Sequence, residues 1–73
     1  MLIVTVPELP GTYDLLGYVV GSGPTLQEAM AALEADAANL GGWGVVGLSF
    51  AIAEETTGTS WVVAYGTAVS QPG

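Results

Sequence analysis

Leu40-Gly-Gly-Trp-Gly-Val-Val-Gly-Leu-Ser-Phe50 carries the chain from the end of a helix into an apolar strand. The residues before it deliver a helix to Gly41, and those after it fold back to pair with the strand that it opens. Gly41 supplies the left-handed residue with which helices end. Beyond it, the alternation from Trp43 to Ala53 predicts a strand with Val46, Leu48, Phe50 and Ile52 on one face, and Trp43, Val45, Gly47, Ser49 and Ala51 on the other. None of these side chains is reactive. The stretch therefore defines an architecture and not a chemistry.

On the N-terminal side of Gly41, Leu26, Ala29, Met30, Leu33, Ala37 and Leu40 recur at helical spacing on one stripe, the pattern of a core-facing helix. Its start is specified by Thr25-Leu-Gln-Glu28, a capping box in which the Thr25 hydroxyl takes an amide one turn on. The opposite side carries Ala31, Ala32, Ala35 and Ala38, a smooth surface that a neighbour could approach closely. Gly21-Ser-Gly-Pro24 separates this helix from a second strand, Thr12 to Val20. There Tyr13, Leu15, Gly17 and Val19 alternate with Asp14, Leu16, Tyr18 and Val20. Pro7-Glu-Leu-Pro-Gly11 is a turn, and Leu2 to Val6 is a short first strand at an edge.

On the C-terminal side, Glu54-Glu-Thr-Thr-Gly-Thr59 reads as a hairpin turn with Gly58 as its positive-φ residue. Ser60 to Ser70 is the fourth strand, with Trp61, Val63, Tyr65, Thr67 and Val69 on one face and Val62, Ala64, Gly66 and Ala68 on the other. Gln71-Pro-Gly73 is a frayed tail. The order is ββαββ. The expected fold is α+β, a four-stranded antiparallel sheet with one helix on one face and a single domain spanning residues 1–73.

One helix covers only one face of such a sheet, yet at least three of the strands are apolar on both. Sheets with a wet face alternate apolar with polar, so the second face is expected to be buried against a partner, and a symmetric copy of the chain is the simplest partner. Size points the same way. A domain of 73 residues has a marginal core, and without cysteine or histidine it lacks disulfides and the usual structural metal sites. Trp43, Phe50, Trp61 and Tyr65 are the expected subunit contacts of a self-assembling homo-oligomeric ring or larger shell with a structural or scaffolding role.

Glu8, Asp14, Glu28, Glu34, Asp36, Glu54 and Glu55 are opposed by no Lys or Arg, which gives a formal net charge of -7. Nucleic acids are held through Lys and Arg, and anionic membranes attract basic segments, so neither is an expected partner. The N-terminal Met-Leu-Ile-Val-Thr-Val lacks the basic region of a leader, and the apolar run from Trp43 is too short to span a bilayer. A soluble, cytoplasmic location is the expectation.

The candidate chemistries are few. Glu54 and Glu55 could hold a hard cation if symmetry gathered several copies, although adjacent acids in a loop are more simply solvated. Gly21-Ser-Gly-Pro-Thr25 stands where amides could hold a phosphate, but Leu26 occupies the place of the third glycine of a dinucleotide fingerprint, and a turn into a capped helix is the better reading. Trp43, Trp61, Tyr65 and Tyr18 could stack a flat aromatic ligand, though packing is the commoner use of such residues. Carboxylates are the only groups that could do acid-base work, and Asp14 is the one acid placed on a strand face. No catalytic residue, metal ligand or cofactor is assigned, and the chain is expected not to be an enzyme.

Val4-Thr-Val-Pro7 with Gly11-Thr-Tyr13, then Leu16-Gly-Tyr-Val-Val-Gly21, then Leu40-Gly-Gly-Trp-Gly-Val-Val-Gly-Leu48, then Ala64-Tyr-Gly-Thr-Ala-Val69 resemble, in order, the blocks of the YbjQ family, which is named for heavy-metal binding. The resemblance implies a dodecin-like fold with an additional N-terminal strand, assembled into a ring of the pentameric type. The middle of this chain is shorter, with Gly21-Ser-Gly-Pro24 leading directly into one helix, and Ser49 stands where basic residues are common. That shortened passage is similar to the one before the flavin-stacking tryptophan of dodecins, which implies an alternative role in binding a flavin at subunit interfaces. Soft and borderline metals favour Cys and His, and the chain has neither.

Overall fold

The computed structural model describes residues 1–54 and 60–72. Its elements are β1 (Leu2–Ile3), β2 (Leu15–Gly23), α1 (Leu26–Asn39), β3 (Gly44–Glu54) and β4 (Ser60–Val69), the expected ββαββ order. The strands form one sheet in the order β1-β3-β4-β2. β4 pairs antiparallel with both β2 and β3. The sheet is mixed and not wholly antiparallel, because β1 runs parallel to β3, with Leu2 opposite Gly44 and Ile3 opposite Val45. The expected hairpin turn, with Glu55 and Gly58, lies outside the described residues, as does Gly73.

Local chemistry sets the helix ends. Thr25 is extended, and its hydroxyl accepts the Glu28 amide at 3.2 Å, satisfying one of the donors that the first turn leaves free. At the other end the Gly41 amide donates to the Ala38 carbonyl and the Gly42 amide to that of Ala37, both at 2.9 Å, with Gly41 at φ 74°. This is the paired Schellman closure.

The core lies between α1 and the sheet and consists of Val19, Ala29, Leu33, Ala37, Val45, Ala64 and Ala68, with Leu16, Met30, Leu48 and Val62 packed around it. Met30 is half-buried, and Leu26 and Leu40, the ends of the predicted stripe, are 51% and 44% exposed. Small residues dominate the sheet side. As a result α1 sits close over β2, where Gly21 and Gly23 are buried beneath it. β2 runs on through both glycines, so Gly21-Ser-Gly23 belongs to the strand that the sequence pattern ends at Val20.

Two irregularities reset the predicted faces. In β3 the pairing shifts between Val46 and Ser49, where Gly47 has φ 66°. One residue is accommodated there as a β-bulge, and the alternation slips by one. Val45 opposes Ala68, Phe50 opposes Ala64 and Ile52 opposes Val62, so it is Val45, and not Val46, that joins Leu48, Phe50 and Ile52 on the helix side. Val46 opposes Thr67 on the far face and is buried there. The amides of Gly47 and Leu48 both turn outward, donating to the carbonyls of Val6 at 2.8 Å and Val4 at 3.1 Å. In β2 the shift between Leu15 and Gly17 has the same effect: Leu16 packs on the core while Leu15 is 70% exposed.

Candidate assembly surface

α1 lies over β2 and β4, which leaves the helix side of β3 beyond the bulge uncovered. There Ile52 is 71% exposed and Phe50 44%, beside half-buried Leu48 and Val62. β1 and the residues after it occupy the outer edge of β3 only as far as Leu48. Ladder amides alternate in direction, so those of Phe50 and Ile52 point to the same outer side as that of Leu48, with no strand of the described residues beside them. Among the described residues an apolar strip and an open strand edge therefore coincide on one segment.

The far face carries a second apolar group. Val20 opposes Tyr65 and Tyr18 opposes Thr67, which puts Tyr18, Val20, Tyr65 and Trp61 on one side, all at least partly open to solvent and Tyr18 almost fully so. Leu15, Leu16, Gly17, Tyr18 and Thr67 line an open recess of about 230 Å³ at one end of this side.

The four residues expected at subunit contacts are thus not one cluster. Trp61 and Tyr65 are on the far face, Phe50 is on the helix face, and Trp43 precedes β3, where its amide is fixed to the Val69 carbonyl at 2.9 Å. All four are partly exposed. Ile52, Leu15 and Val20 are more exposed than any of them, and the sequence pattern does not single them out. Ile52 carries a readable signal, since it shares Phe50's face in the alternation. The exposure of Leu15 depends on the β2 irregularity and carries none.

The remaining candidates come apart. Asp14 is exposed and precedes β2; its backbone pairs with Ser70, its amide donating to Ser70 Oγ at 2.8 Å and its carbonyl accepting the Ser70 amide at 2.9 Å. Gly21 and Gly23 lie under the helix and present no open cradle for a phosphate; a Cβ on Gly23 would stand 2.7 Å from Glu28 Cβ. Of the two acids considered for a hard cation, Glu55 is outside the described residues. Among the described residues no three acidic side chains gather as a metal set, and none of the polar side chains is buried. What the geometry can do is cover apolar surface and extend a sheet.

The family model described as "Putative heavy-metal-binding" matches residues 24–71. The chain belongs to the YbjQ family. A crystal structure of a DUF74-family protein of unknown function from Pediococcus pentosaceus ATCC 25745 is similar over 96% of both chains, with 21% identity and a TM-score of 0.81. At that identity the likeness shows the fold. No curated protein matches the chain. The YbjQ description and this chain's donors do not fit each other: with no Cys or His, thiolate and imidazole ligation are both impossible, and carboxylates suit hard cations instead.

Proposed function

We propose that this YbjQ-family chain is a non-enzymatic protein that assembles with copies of itself into a closed homo-oligomeric ring, in a structural or scaffolding role. The observation that carries this reading is the uncovered β3 segment, where Phe50 and Ile52 stand exposed beside a strand edge with which no strand of the described residues pairs. A small acidic domain gains nothing in solubility from such a strip. Pairing it with another copy would add ladder hydrogen bonds and remove apolar area from water together. The ring closes if the β3 strip of one copy takes a different segment of the next, so that the contact is heterologous, and if its rotation repeats to a full turn; a pentamer is the form the family resemblance implies. Native mass spectrometry of protein purified from its source tests this. One ring mass of definite subunit number is the expected result, and a stable monomer at micromolar concentration rejects it.

A second reading rests on the far face, where Tyr18, Val20 and Tyr65 lie on neighbouring positions of β2 and β4 and would offer a platform to a flat aromatic ligand such as a flavin, with Trp61 on the same face further along β4. The same spectrum distinguishes it. A constant added mass per subunit or interface, with a yellow chromophore, supports ligand binding, and a bare colourless ring supports scaffolding alone.

A further inference from the structure

β2 is the other outer strand of the sheet, and it differs from the open part of β3 in one respect. The Val20 amide donates not to a strand but to Asp36 Oδ2 on α1, at 3.1 Å. An amide bonded to a helix-borne side chain faces away from β4, and by ladder alternation the amides of Tyr18 and Ser22 face the same way. Asp36 therefore reaches over the sheet margin to the central one of three outward amides. It can do so because α1 sits close on β2, where Gly21 and Gly23 have no side chains to hold it off.

We propose that Asp36 guards the β2 edge, so that β2 is closed to pairing with another strand and a segment from a second copy can join this sheet only on the β3 side. An incoming strand would have to supply a carbonyl to Val20 in the place that the carboxylate holds, and would bring its own carbonyl dipoles toward a negative charge. Outer strands are commonly protected by charged groups in this way. With Tyr18 and Val20 exposed beside it, an unguarded β2 would offer apolar surface together with its outward amides. The proposal does not rest on the ring, because the guarding bond lies within one chain.

Amide hydrogen exchange followed by NMR tests it. In the wild-type protein the Val20 amide is expected to exchange at least about tenfold more slowly than those of Tyr18 and Ser22, the amount one charge-assisted hydrogen bond supplies. In Asp36→Ala that difference should vanish while Val19 and Gly21 stay protected by β4, and sedimentation velocity should show species larger than the wild type's. Asp36→Asn, whose amide oxygen still accepts, should retain part of the protection. Equal exchange at Tyr18, Val20 and Ser22 in the wild type would overturn the proposal, as would Val20 protection that survives in Asp36→Ala, the result expected if a neighbouring strand occupies this edge. An Asp36→Ala protein of unchanged size would also overturn it. A monomeric wild type would reject the ring and leave the exchange test intact.

Discussion

A Cβ placed on Gly21 would stand 2.2 Å from the backbone nitrogen of Leu33 and 2.3 Å from the Ala29 carbonyl oxygen. The contact is backbone against backbone, so no rotamer change can relieve it. Strand β2 and helix α1 are held at a separation that only glycine allows, and that separation brings Ala29, Leu33 and Ala37 into the core and Asp36 to the sheet margin.

Gly21→Ala should accordingly destabilise the protein by more than the ~1–3 kcal/mol usual for an added core methyl, because the helix itself must lift. Against a total of about 4–11 kcal/mol for a chain of this length, the loss is a large part of the fold. Urea unfolding would show it as a lowered midpoint. The contrasting variant is Gly41→Ala, where nothing lies within 4 Å of the added Cβ and only the positive φ is violated. Its cost should be no more than about 1–2 kcal/mol. Similar midpoints for the two variants would refute the close-packing account.

Leu33 is the largest fully buried side chain and sits at the centre of this contact. Leu33→Ala should cost ~2–5 kcal/mol through lost transfer energy and the cavity left behind. Leu26→Ala, on the same helical stripe but half exposed, should cost well under half of that. Equal losses would mean that the stripe is buried along its whole length, as its periodicity alone predicts.

The helix, its two caps, the element order and the faces of β4 are legible in the residues because each has a local cause: apolar spacing, Thr25, Gly41, and strict alternation from Trp61 to Val69. The partner order of the strands is not, since nothing local tells β1 to lie parallel beside β3. The faces of β3 and β2 escape for one reason. Gly47 and Gly17 look like ordinary small residues in an alternation, yet each sits at an irregularity that shifts the register by one, and a strict period of two has no place for a bulge. That slip moves Val46 to the far face and leaves Leu15 exposed. For the candidate surface, apolarity on both faces is readable from alternation, while the open edge beside Phe50 and Ile52 requires the strand order.

Gly47 offers a direct check on the bulge. At φ 66° and with nothing within 4 Å of an added Cβ, the position should accept Asn more readily than Val, because a β-branched side chain strongly disfavours the left-handed region. Gly47→Val should lose roughly 1–2 kcal/mol and Gly47→Asn less. A Val variant as stable as the wild type in urea would place the strand in regular alternation and return Val46 to the core.

Ile52 and Phe50 separate assembly from folding. Because both are substantially exposed in the single chain, Ile52→Glu should change monomer stability by no more than about 0.5 kcal/mol. Its effect on association should be large, since it sets a carboxylate on the strip proposed to be covered. Sedimentation velocity of Ile52→Glu should show the complex shifted toward monomer at concentrations where the wild type is assembled, with the circular dichroism spectrum unchanged. An Ile52→Glu protein assembled as fully as the wild type would remove β3 from the interface.

Salt supplies the last test, and its sign comes from composition. Seven carboxylates per chain with no Lys or Arg mean that bringing subunits together brings like charges together, with no side-chain ion pair to offset the repulsion. Screening reaches about 10 Å at 0.1 M salt and about 3 Å at 1 M, so repulsion between exposed acids on neighbouring subunits should fade over that range while apolar burial persists. Assembly should therefore strengthen as sodium chloride rises, read as a lower concentration for half-association in sedimentation equilibrium. The same trend with tetramethylammonium chloride in place of sodium would assign it to screening; a response only to calcium or magnesium would point instead to a cation held between subunits. Dissociation on adding monovalent salt would show that attraction between charges, which this composition cannot supply from its side chains, holds the complex together, and the apolar strip on β3 would lose its role.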